Sequence, residues 1–238
     1  PAARSAAAEV ARAAGYQPQV SDDPSHEVWA RRSSASGPVE PELALLLATS
    51  GSTGNPKLVR LSRQNLLSNA DGIRLALDIG PAERGITSLP PFYSYGLSVL
   101  HSHLLAGGAV VVTADTIVGR TFWDTFRARE CTSCAAVPYM FDIFGRIGFE
   151  RFELPTLRTL TQAGGKLADP LVRRYHEVMA VRGGRLMVMY GQTEATARIT
   201  CLPAELLPAK LGSVGFPMRG GTIRIEAADG TEAPAGAV

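Results

Sequence analysis

Short apolar runs alternate with helical patterns along this chain of 238 residues, and that alternation constrains its fold more than any other feature. Ser62 and the pair Asp169-Pro170 are helix start signals between such runs: a capping residue, and a cap followed by proline. Strand–helix alternation predicts an α/β fold in which helices cover both faces of a mostly parallel sheet. The predicted strands are residues 43–48, 58–61, 85–89, 109–112, 133–137, 159–161 and 186–189.

The predicted helices have apolar residues at spacings of three and four. Two of them cover residues 121–129 and 139–147, and a third begins at Pro170 with Asp169 as its cap. The helix that follows Ser62 is expected to bury one apolar face. That face consists of Leu66, Leu67, Ala70, Ile73 and Leu77.

We expect three parts along the chain. Residues 1–42 form a polar lead-in and connector that starts as a helix, residues 43–217 form the α/β core, and residues 218–238 begin a truncated β subdomain. The segment around Trp29 is expected to be a connector, or a strand that pairs with something outside this chain. Residues 227–230 have the composition of a hairpin turn, so this end is expected to be rich in β-hairpins.

Composition excludes several classes of protein. The chain is 45% hydrophobic and 19% charged, which is typical of a folded globular protein. No apolar run approaches the ~20 residues of a membrane span, and a net charge of +2 is too small for a nucleic-acid-binding domain. Cys131 and Cys134 lack the second pair of a zinc site, so we expect reduced thiols in a cytoplasmic protein.

A run rich in hydroxyl groups and glycine follows the first predicted strand. It reads Thr49-Ser50-Gly51-Ser52-Thr53-Gly54-Asn55-Pro56-Lys57. Such a loop offers backbone N–H groups, hydroxyl donors and one mobile cation to a polyphosphate. Its spacing is not that of a P-loop, because Gly51 and Gly54 are three residues apart and Pro56 precedes Lys57. An ordinary turn is the alternative interpretation.

Further motifs follow two later strands. They read Gln162-Ala163-Gly164-Gly165-Lys166-Leu167, Tyr190-Gly191-Gln192-Thr193-Glu194 and, beyond them, Gly212-Ser213-Val214-Gly215-Phe216-Pro217. Ligands of open α/β sheets bind beyond the carboxyl ends of the strands. We therefore expect the Ser/Thr/Gly loop, the Gly164-Gly165 turn and the Tyr190 motif to face one ligand.

Together and in this order, the four motifs resemble the signatures of the adenylate-forming superfamily, which includes acyl-CoA synthetases, adenylation domains of peptide synthetases and luciferases. The resemblance implies ATP-dependent activation of a carboxylic acid as an acyl-adenylate, followed by transfer to the thiol of CoA or of a carrier protein. There are two alternatives: a non-catalytic adenylate-binding domain, and an acyl-AMP ligase that loads a carrier protein.

The resemblance also implies roles for single residues. Lys57 would act on the β- and γ-phosphates, Thr193 would donate its hydroxyl to the α-phosphate, and Glu194 would hold Mg²⁺. Adenine would pack against Tyr190, with Gly165 on its other side. The nucleotide-binding set is Thr49, Ser50, Gly51, Ser52, Thr53, Gly54, Gly165, Lys166, Tyr190, Gly191 and Gln192.

The acid is expected to approach past Tyr93 and Gly164. Tyr93 stands where many acyl-CoA synthetases carry the histidine of a Phe-His-x-x-Gly stretch. Relatives that activate amino acids place an aspartate in this region, and residues 89–100 contain none, so a simple carboxylic acid is expected. An apolar lining would suit an aryl or alkyl acid, unless the same residues are core. These residues are Phe92, Tyr95, Leu97 and Val99.

Several later elements of the family have no counterpart here. We find no Thr-Gly-Asp segment for the ribose hydroxyls, no hinge and no C-terminal domain with its adenylation lysine. The resemblance therefore implies an incomplete piece of a ligase, whose partners include the missing C-terminal domain. Alone, this piece is expected to bind ATP weakly and not to complete turnover.

Overall fold

The computed structural model describes residues 8–9, 11–13, 15–20, 28–30, 40–49, 57–234 and 236. The chain divides into two compact units, Pro1–Pro41 and Glu42–Val238. In the first unit, residues 8–9 and 11–13 are helical, and β1 (Gln17–Gln19) pairs antiparallel with β2 (Val28–Ala30). The strand around Trp29 thus finds its partner inside the chain, which corrects the expectation of an external one.

In the second unit, β3 (Leu43–Ala48) and β4 (Leu58–Ser62) form a two-stranded antiparallel sheet of their own. The sequence placed both strands in one alternating series with the parallel strands, and that interpretation is wrong. The connection between them is too short for the crossover that parallel neighbours require, so the strands fold back as a hairpin.

The main sheet has seven strands in the order β11-β10-β9-β8-β7-β5-β6. Strands β5 to β9 pair in parallel, β10 is antiparallel to β9, and β11 is antiparallel to β10. The predicted mostly parallel sheet is therefore confirmed. The strands are β5 (Arg84–Ile86), β6 (Ala109–Val111), β7 (Ser133–Ala136), β8 (Thr159–Gln162), β9 (Arg185–Tyr190), β10 (Thr200–Leu202) and β11 (Phe216–Pro217).

Five helices accompany these strands in the second unit, among its described residues. They are α1 (Arg63–Ala76), α2 (Ser94–Leu105), α3 (Arg120–Ala128), α4 (Pro138–Ile147) and α5 (Asp169–Val181). Short 3₁₀ turns occupy Phe149–Arg151, Thr193–Ala195 and Ala204–Leu206.

Local signals set the helix starts only in part. Ser62 caps α1 as predicted: its Oγ accepts a 3.1 Å hydrogen bond from the backbone N–H of Asn65, whose Oδ1 accepts one of 2.9 Å from the Ser62 N–H. The predicted apolar face is wrong at Leu67, which is 43% exposed, while Ala70 is buried. Helix α5 begins one residue earlier than predicted, because Ala168 takes the cap position.

The order of the strands creates a switch point between β5 and β7. The chain passes from β5 to β6 in one direction along the sheet, and from β7 through β8 to β9 in the other. Right-handed crossovers therefore place α2 on the opposite face of the sheet from α4 and α5. Ligands of open α/β sheets bind at such a point, beyond the carboxyl ends of the strands.

An aromatic cluster packs α3, α4 and α5 together. The Trp123 ring contacts those of Phe144 and Phe149 at centroid distances of 5.9 and 5.5 Å. Trp123 Nε1 donates to the Ile117 carbonyl at 2.7 Å, so its polar edge is satisfied. These rings belong to the same hydrophobic core as Cys134 of β7 and Leu160 of β8, the strands whose following loops reach the switch point.

The end of the chain carries the predicted hairpin turn. Glu226 and Glu232 form an isolated antiparallel bridge, and the Ala227 N–H donates to the Thr231 carbonyl at 2.8 Å. None of the helices in the described part of the chain combines the length and the apolar character needed to cross a bilayer.

Candidate functional site

Three loops converge at the switch point, and Gly164 lies at their centre. A Cβ built on Gly164 would lie 2.5 Å from the Tyr93 hydroxyl and 3.0 Å from a Val137 methyl group. Its φ of +80° also belongs to the left-handed region that glycine tolerates best. The loops after β5, β7 and β8 therefore meet here because residue 164 has no side chain.

A cavity of about 460 Å³ opens beside these loops. It lies between the loop after β8 and the end of β9, and the segment at 212–214 closes one side. The structure thus brings together five of the residues predicted from the motifs. These are Gly164, Gly165, Lys166, Tyr190 and Gly191.

The tip of the Tyr-Gly-x-Thr-Glu motif lies next to this cavity without lining it. Residues 193–195 form a 3₁₀ turn, and the Thr193 hydroxyl shares a 3.2 Å hydrogen bond with that of Ser94. Gln192 and Glu194 are exposed. The Glu194 carboxylate has no ion pair or hydrogen bond with the described residues.

A strained turn holds this motif in place. Thr196 has φ 75° and ψ −51°, and the Ala197 N–H donates across it to the Ala195 carbonyl at 2.9 Å. That geometry is a γ-turn of the rare type with positive φ, which is unfavourable for a β-branched residue. A Cβ on Gly191 would overlap the Ala197 carbonyl oxygen, so the two backbone segments lie too close together here for any side chain at residue 191. Backbone strain of this kind clusters at functional sites.

The β3–β4 hairpin presents the Ser/Thr/Gly loop. Thr49 accounts for both hydrogen bonds to the Lys57 carbonyl: its N–H donates at 2.9 Å and its hydroxyl at 3.4 Å. Lys57 is exposed. The predicted residues between these two lie outside the described part of the chain. They are Ser50, Gly51, Ser52, Thr53 and Gly54.

A small cavity connects the hairpin with the Thr-Glu motif. Leu47, near the end of β3, lines it together with Ser94, Thr196 and Ala197. Ser94 in turn bonds Thr193. The hairpin and the Thr193 turn therefore lie on the same side of the molecule, as a shared ligand would require.

Tyr93 lies beside Gly164, the other residue that was predicted to contact the acid. It is partly buried in the loop before α2, and burial raises its pKa, so the hydroxyl stays a donor at neutral pH. The expected apolar lining is wrong in part, because Phe92 is 80% exposed. Tyr95 and Val99 are buried on α2, where the Tyr95 hydroxyl shares a 2.7 Å hydrogen bond with Thr161.

Sequence reasoning missed three residues of this region. Gln162 donates to the Gly165 carbonyl at 2.7 Å and so braces the glycine turn. Asp169 was interpreted as a cap, yet it lines the 460 Å³ cavity, and its Oδ1 is buried without a hydrogen-bond partner among the described residues. Arg198 is 3% exposed. Its position between Ala197 and Ile199 was the one sequence signal of burial.

The cysteine pair takes no part in the site. Cys131 and Cys134 are buried and free, and burial raises the pKa of the Cys134 thiol to about 12. A thiol with such a pKa stays protonated and is a poor nucleophile.

Comparison with known proteins identifies the family of this chain. A family model described as AMP-binding enzyme matches residues 3–238. Oxalate–CoA ligase from Arabidopsis thaliana is 33% identical over 180 residues, which cover 74% of this chain and 34% of the ligase. Feruloyl-CoA synthase from an Amycolatopsis species is 29% identical over 197 residues, which cover 82% of this chain and 39% of the synthase. The chain thus spans well under half the length of these relatives.

A solved structure has the same fold. It is the O-succinylbenzoate coenzyme A synthetase of Bacillus subtilis in complex with ATP and magnesium ion, with 30% identity and a TM-score of 0.69. The match covers 79% of this chain and 38% of the synthetase. With the family model matched from residue 3 to residue 238, this chain belongs to the AMP-binding enzyme family.

Proposed function

We propose that the protein carrying this chain is an AMP-forming acid–thiol ligase, and that this chain supplies its ATP and acid sites. The observation that carries the proposal is a cavity lined by Gly164 and Tyr190, beside which the loops that carry Tyr93 and Thr193 meet. Family membership supports the same conclusion.

The first half-reaction needs positioning and charge stabilisation. A carboxylate oxygen of the acid bonds to the α-phosphorus of ATP, the bond from that phosphorus to the bridging oxygen breaks, and pyrophosphate leaves. Because the nucleophile is already an anion, the step needs no general base. Donors that stabilise charge on the phosphoryl oxygens supply the catalysis. We assign this role to the hydroxyls of Tyr93, which lies beside Gly164, and of Thr193, which shares a hydrogen bond with Ser94.

The proposed residue roles are those that the resemblance to the family's motifs implies. Tyr190 and Gly165 would enclose the adenine, with Lys166, Gly191 and Gln192 around it. Thr193 would bond the α-phosphate. Lys57 would reach the β- and γ-phosphates from the hairpin, together with the loop from Thr49 to Gly54.

Glu194 fits the requirements of a Mg²⁺ ligand. Its carboxylate is exposed and makes no ion pair with the described residues, and Mg²⁺ bridging phosphates takes one or two protein carboxylates. When bound, the ion would neutralise charge on the phosphates. The solved synthetase with ATP and magnesium ion supports the choice of these ligands.

The second half-reaction transfers the acyl group to a thiol, with AMP as the leaving group. The names of the curated relatives support CoA as the acceptor, and a carrier protein is the alternative acceptor. We also propose a C-terminal domain as a further part of the protein, and a cytoplasmic location that suits the buried, free cysteines.

The acids in the relatives' names differ in charge. Ferulate carries one acidic group, whereas oxalate and succinylbenzoate carry two. The choice between these classes depends on the side chains of this chain's own pocket.

Pyrophosphate exchange into ATP tests the proposal in the full-length protein. With a panel of acids and Mg²⁺, we expect exchange that depends on the acid and that falls by about 100-fold or more in Glu194→Gln. Absence of acid-dependent exchange with every acid would refute the ligase. ATP binding without acid-dependent exchange, with binding unchanged in Glu194→Gln, would favour the alternative, a non-catalytic adenylate-binding domain.

A further inference from the structure

Lys166 carries an unpaired amine on the wall of the largest cavity of the candidate site. It lines this cavity of about 460 Å³ together with Gly164 and Tyr190. Its side chain is exposed and has neither an ion pair nor a hydrogen bond with the described residues. Asp169 lines the same cavity, yet it lies outside the 4.0 Å range of an ion pair with Lys166. The Nζ atom is therefore free to turn toward a ligand in the cavity.

The turn around Lys166 holds the backbone of this residue in place. Ala163 and Leu167, on either side of the turn, are 4% and 5% exposed, so both ends are anchored in the core. Between them, the Gln162 side chain donates to the Gly165 carbonyl at 2.7 Å. The turn therefore presents the amine from a fixed backbone, and only the side chain of Lys166 has to move to reach a ligand.

Within the turn, no side chain separates Lys166 from the place proposed for the acid. Two glycines precede it, and a Cβ on the first, Gly164, would lie 2.5 Å from the Tyr93 hydroxyl. The proposed function brings the acid carboxylate to Gly164 and Tyr93, so an acyl-adenylate formed there is an electrophile beside the Lys166 amine. Such proximity replaces the encounter of two reactants in solution and raises the rate of their reaction.

Lysine is rare in this chain. Of its 24 lysine and arginine residues, all are arginine except Lys57, Lys166 and Lys210. An arginine guanidinium stays protonated in proteins, whereas a lysine amine can lose its proton and act as a nucleophile. Lys57 and Lys210 are exposed, and neither lines the cavity of about 460 Å³. Lys166 is therefore the lysine of this cavity, and Lys210 offers an exposed amine outside it for comparison.

We propose that Lys166 is a site of self-acylation: when no thiol acceptor is present, the acyl-adenylate transfers its acyl group to the Lys166 amine. This inference rests on the proposed ligase function and goes beyond it. The neutral amine bonds to the acyl carbon, the bond from that carbon to the phosphate oxygen breaks, AMP leaves, and the nitrogen releases one proton to water. The acylated side chain loses its positive charge and occupies part of the cavity, so the ligase slows when its thiol substrate is scarce.

Peptide mapping by mass spectrometry tests the site. The full-length protein is incubated with ATP, Mg²⁺ and the acid that supports the fastest pyrophosphate exchange, without CoA, and is then digested. We expect acylation of Lys166 at a level about 10-fold or more above that of Lys210, because proximity raises the effective concentration of the acyl group. Omission of ATP should abolish the adduct, and addition of CoA should suppress it. Unmodified Lys166, or equal modification of Lys210, would overturn the inference.

Two variants connect the adduct with activity. The wild type, Lys166→Arg and the matched control Lys210→Arg are preincubated with the acid, ATP and Mg²⁺, and small molecules are removed. The exchange rate of each protein is then divided by its own rate before preincubation. We expect this ratio to fall in the wild type and in Lys210→Arg, and to stay near unity in Lys166→Arg, since a guanidinium keeps the charge without a nucleophilic amine. An equal fall in all three proteins would overturn the effect on activity. If Lys166→Arg shows no exchange, the peptide map of the wild type decides.

The outcomes separate this inference from the ligase proposal. Pyrophosphate exchange without an adduct on Lys166 overturns self-acylation and leaves the ligase in place. If no acid supports exchange, the ligase is refuted, and synthetic acetyl-AMP is added to the protein instead. Acetylation of Lys166 above that of Lys210 then still supports a reactive amine in the cavity. Equal acetylation of the two lysines, or none, refutes both proposals.

Discussion

Single residues fix the geometry of the turn after β9. Gly191 permits the backbone of Tyr190 to pass against the Ala197 carbonyl, and Thr196 accepts an unfavourable φ to direct the chain back. Because the strain is local, the surrounding contacts must hold it, and these include the bond from Ser94 to Thr193. The turn that carries the proposed catalytic residues is therefore sensitive to small changes in volume.

Gly191→Ala tests this sensitivity. The added methyl group overlaps the Ala197 carbonyl, so we expect the free energy of unfolding to fall by about 1–3 kcal/mol and exchange activity to be lost. Gly80→Ala is the matched control, since a Cβ there meets no atom within 4 Å. Equal effects of the two substitutions in urea unfolding would contradict the account of the turn.

At the scale of elements, the buried faces of the helices form much of the core, and the buried face of α2 carries a titratable group, His103. Helix α2 buries His103, whose Nδ1 donates to the Val99 carbonyl at 2.8 Å while its Nε2 accepts from the Ser133 hydroxyl at 3.1 Å. Helix α4 buries Phe144 and leaves Tyr139 64% exposed. On α4, the exposed Tyr139 therefore serves as the control for the buried Phe144.

Burial lowers the pKa of His103 from its ordinary value of 6.5, and Arg198 adds to the effect. The folded state therefore binds fewer protons than the unfolded state. The stability that His103 contributes is complete above pH 6.5 and is lost as the pH falls below that value. His103→Gln should make stability depend less on pH between about 7.5 and 5. The measurement is denaturant unfolding of the wild type and of His103→Gln across this pH range. If the free energy of unfolding had the same slope against pH in both proteins, His103 would not be the group responsible.

Phe144→Ala should reduce the free energy of unfolding by about 3–5 kcal/mol, because it opens a cavity in the aromatic cluster. Tyr139→Ala on the same helix should change it by no more than about 0.5 kcal/mol. Urea unfolding of the full-length protein measures both. A small loss for Phe144→Ala would mean that the cluster is not a tightly packed core.

Elements whose signals are local were predictable, and those set by distant contacts were not. The cap of α1 was predictable because Ser62, a capping residue type, directly precedes the apolar pattern of the helix. Strands β3 and β4 were wrongly assigned to the parallel sheet, because an apolar strand pattern does not show which other strand it pairs with. Arg198 could not be interpreted, since its burial depends on Tyr95 and Met189, which only the fold brings together.

At the scale of the whole molecule, this chain corresponds to less than half of each relative that it resembles. It spans 34% of one curated relative and 39% of another, so each activity test uses the full-length protein. The parallel sheet places the loops after β5, β7 and β8 at one edge, and β9 adds the Tyr190 turn. The central claim is that these loops direct a carboxylate to the α-phosphorus of ATP.

Transfer of ¹⁸O from the acid tests that claim most directly. The full-length protein is given a carboxylic acid that supports pyrophosphate exchange, labelled with ¹⁸O in its carboxyl group, together with ATP, Mg²⁺ and CoA. The nucleotide product is analysed by mass spectrometry. We predict AMP that carries a single ¹⁸O atom, because the attacking oxygen stays on the α-phosphorus when the thiol displaces AMP. Unlabelled AMP, or ADP together with labelled inorganic phosphate, would contradict the account.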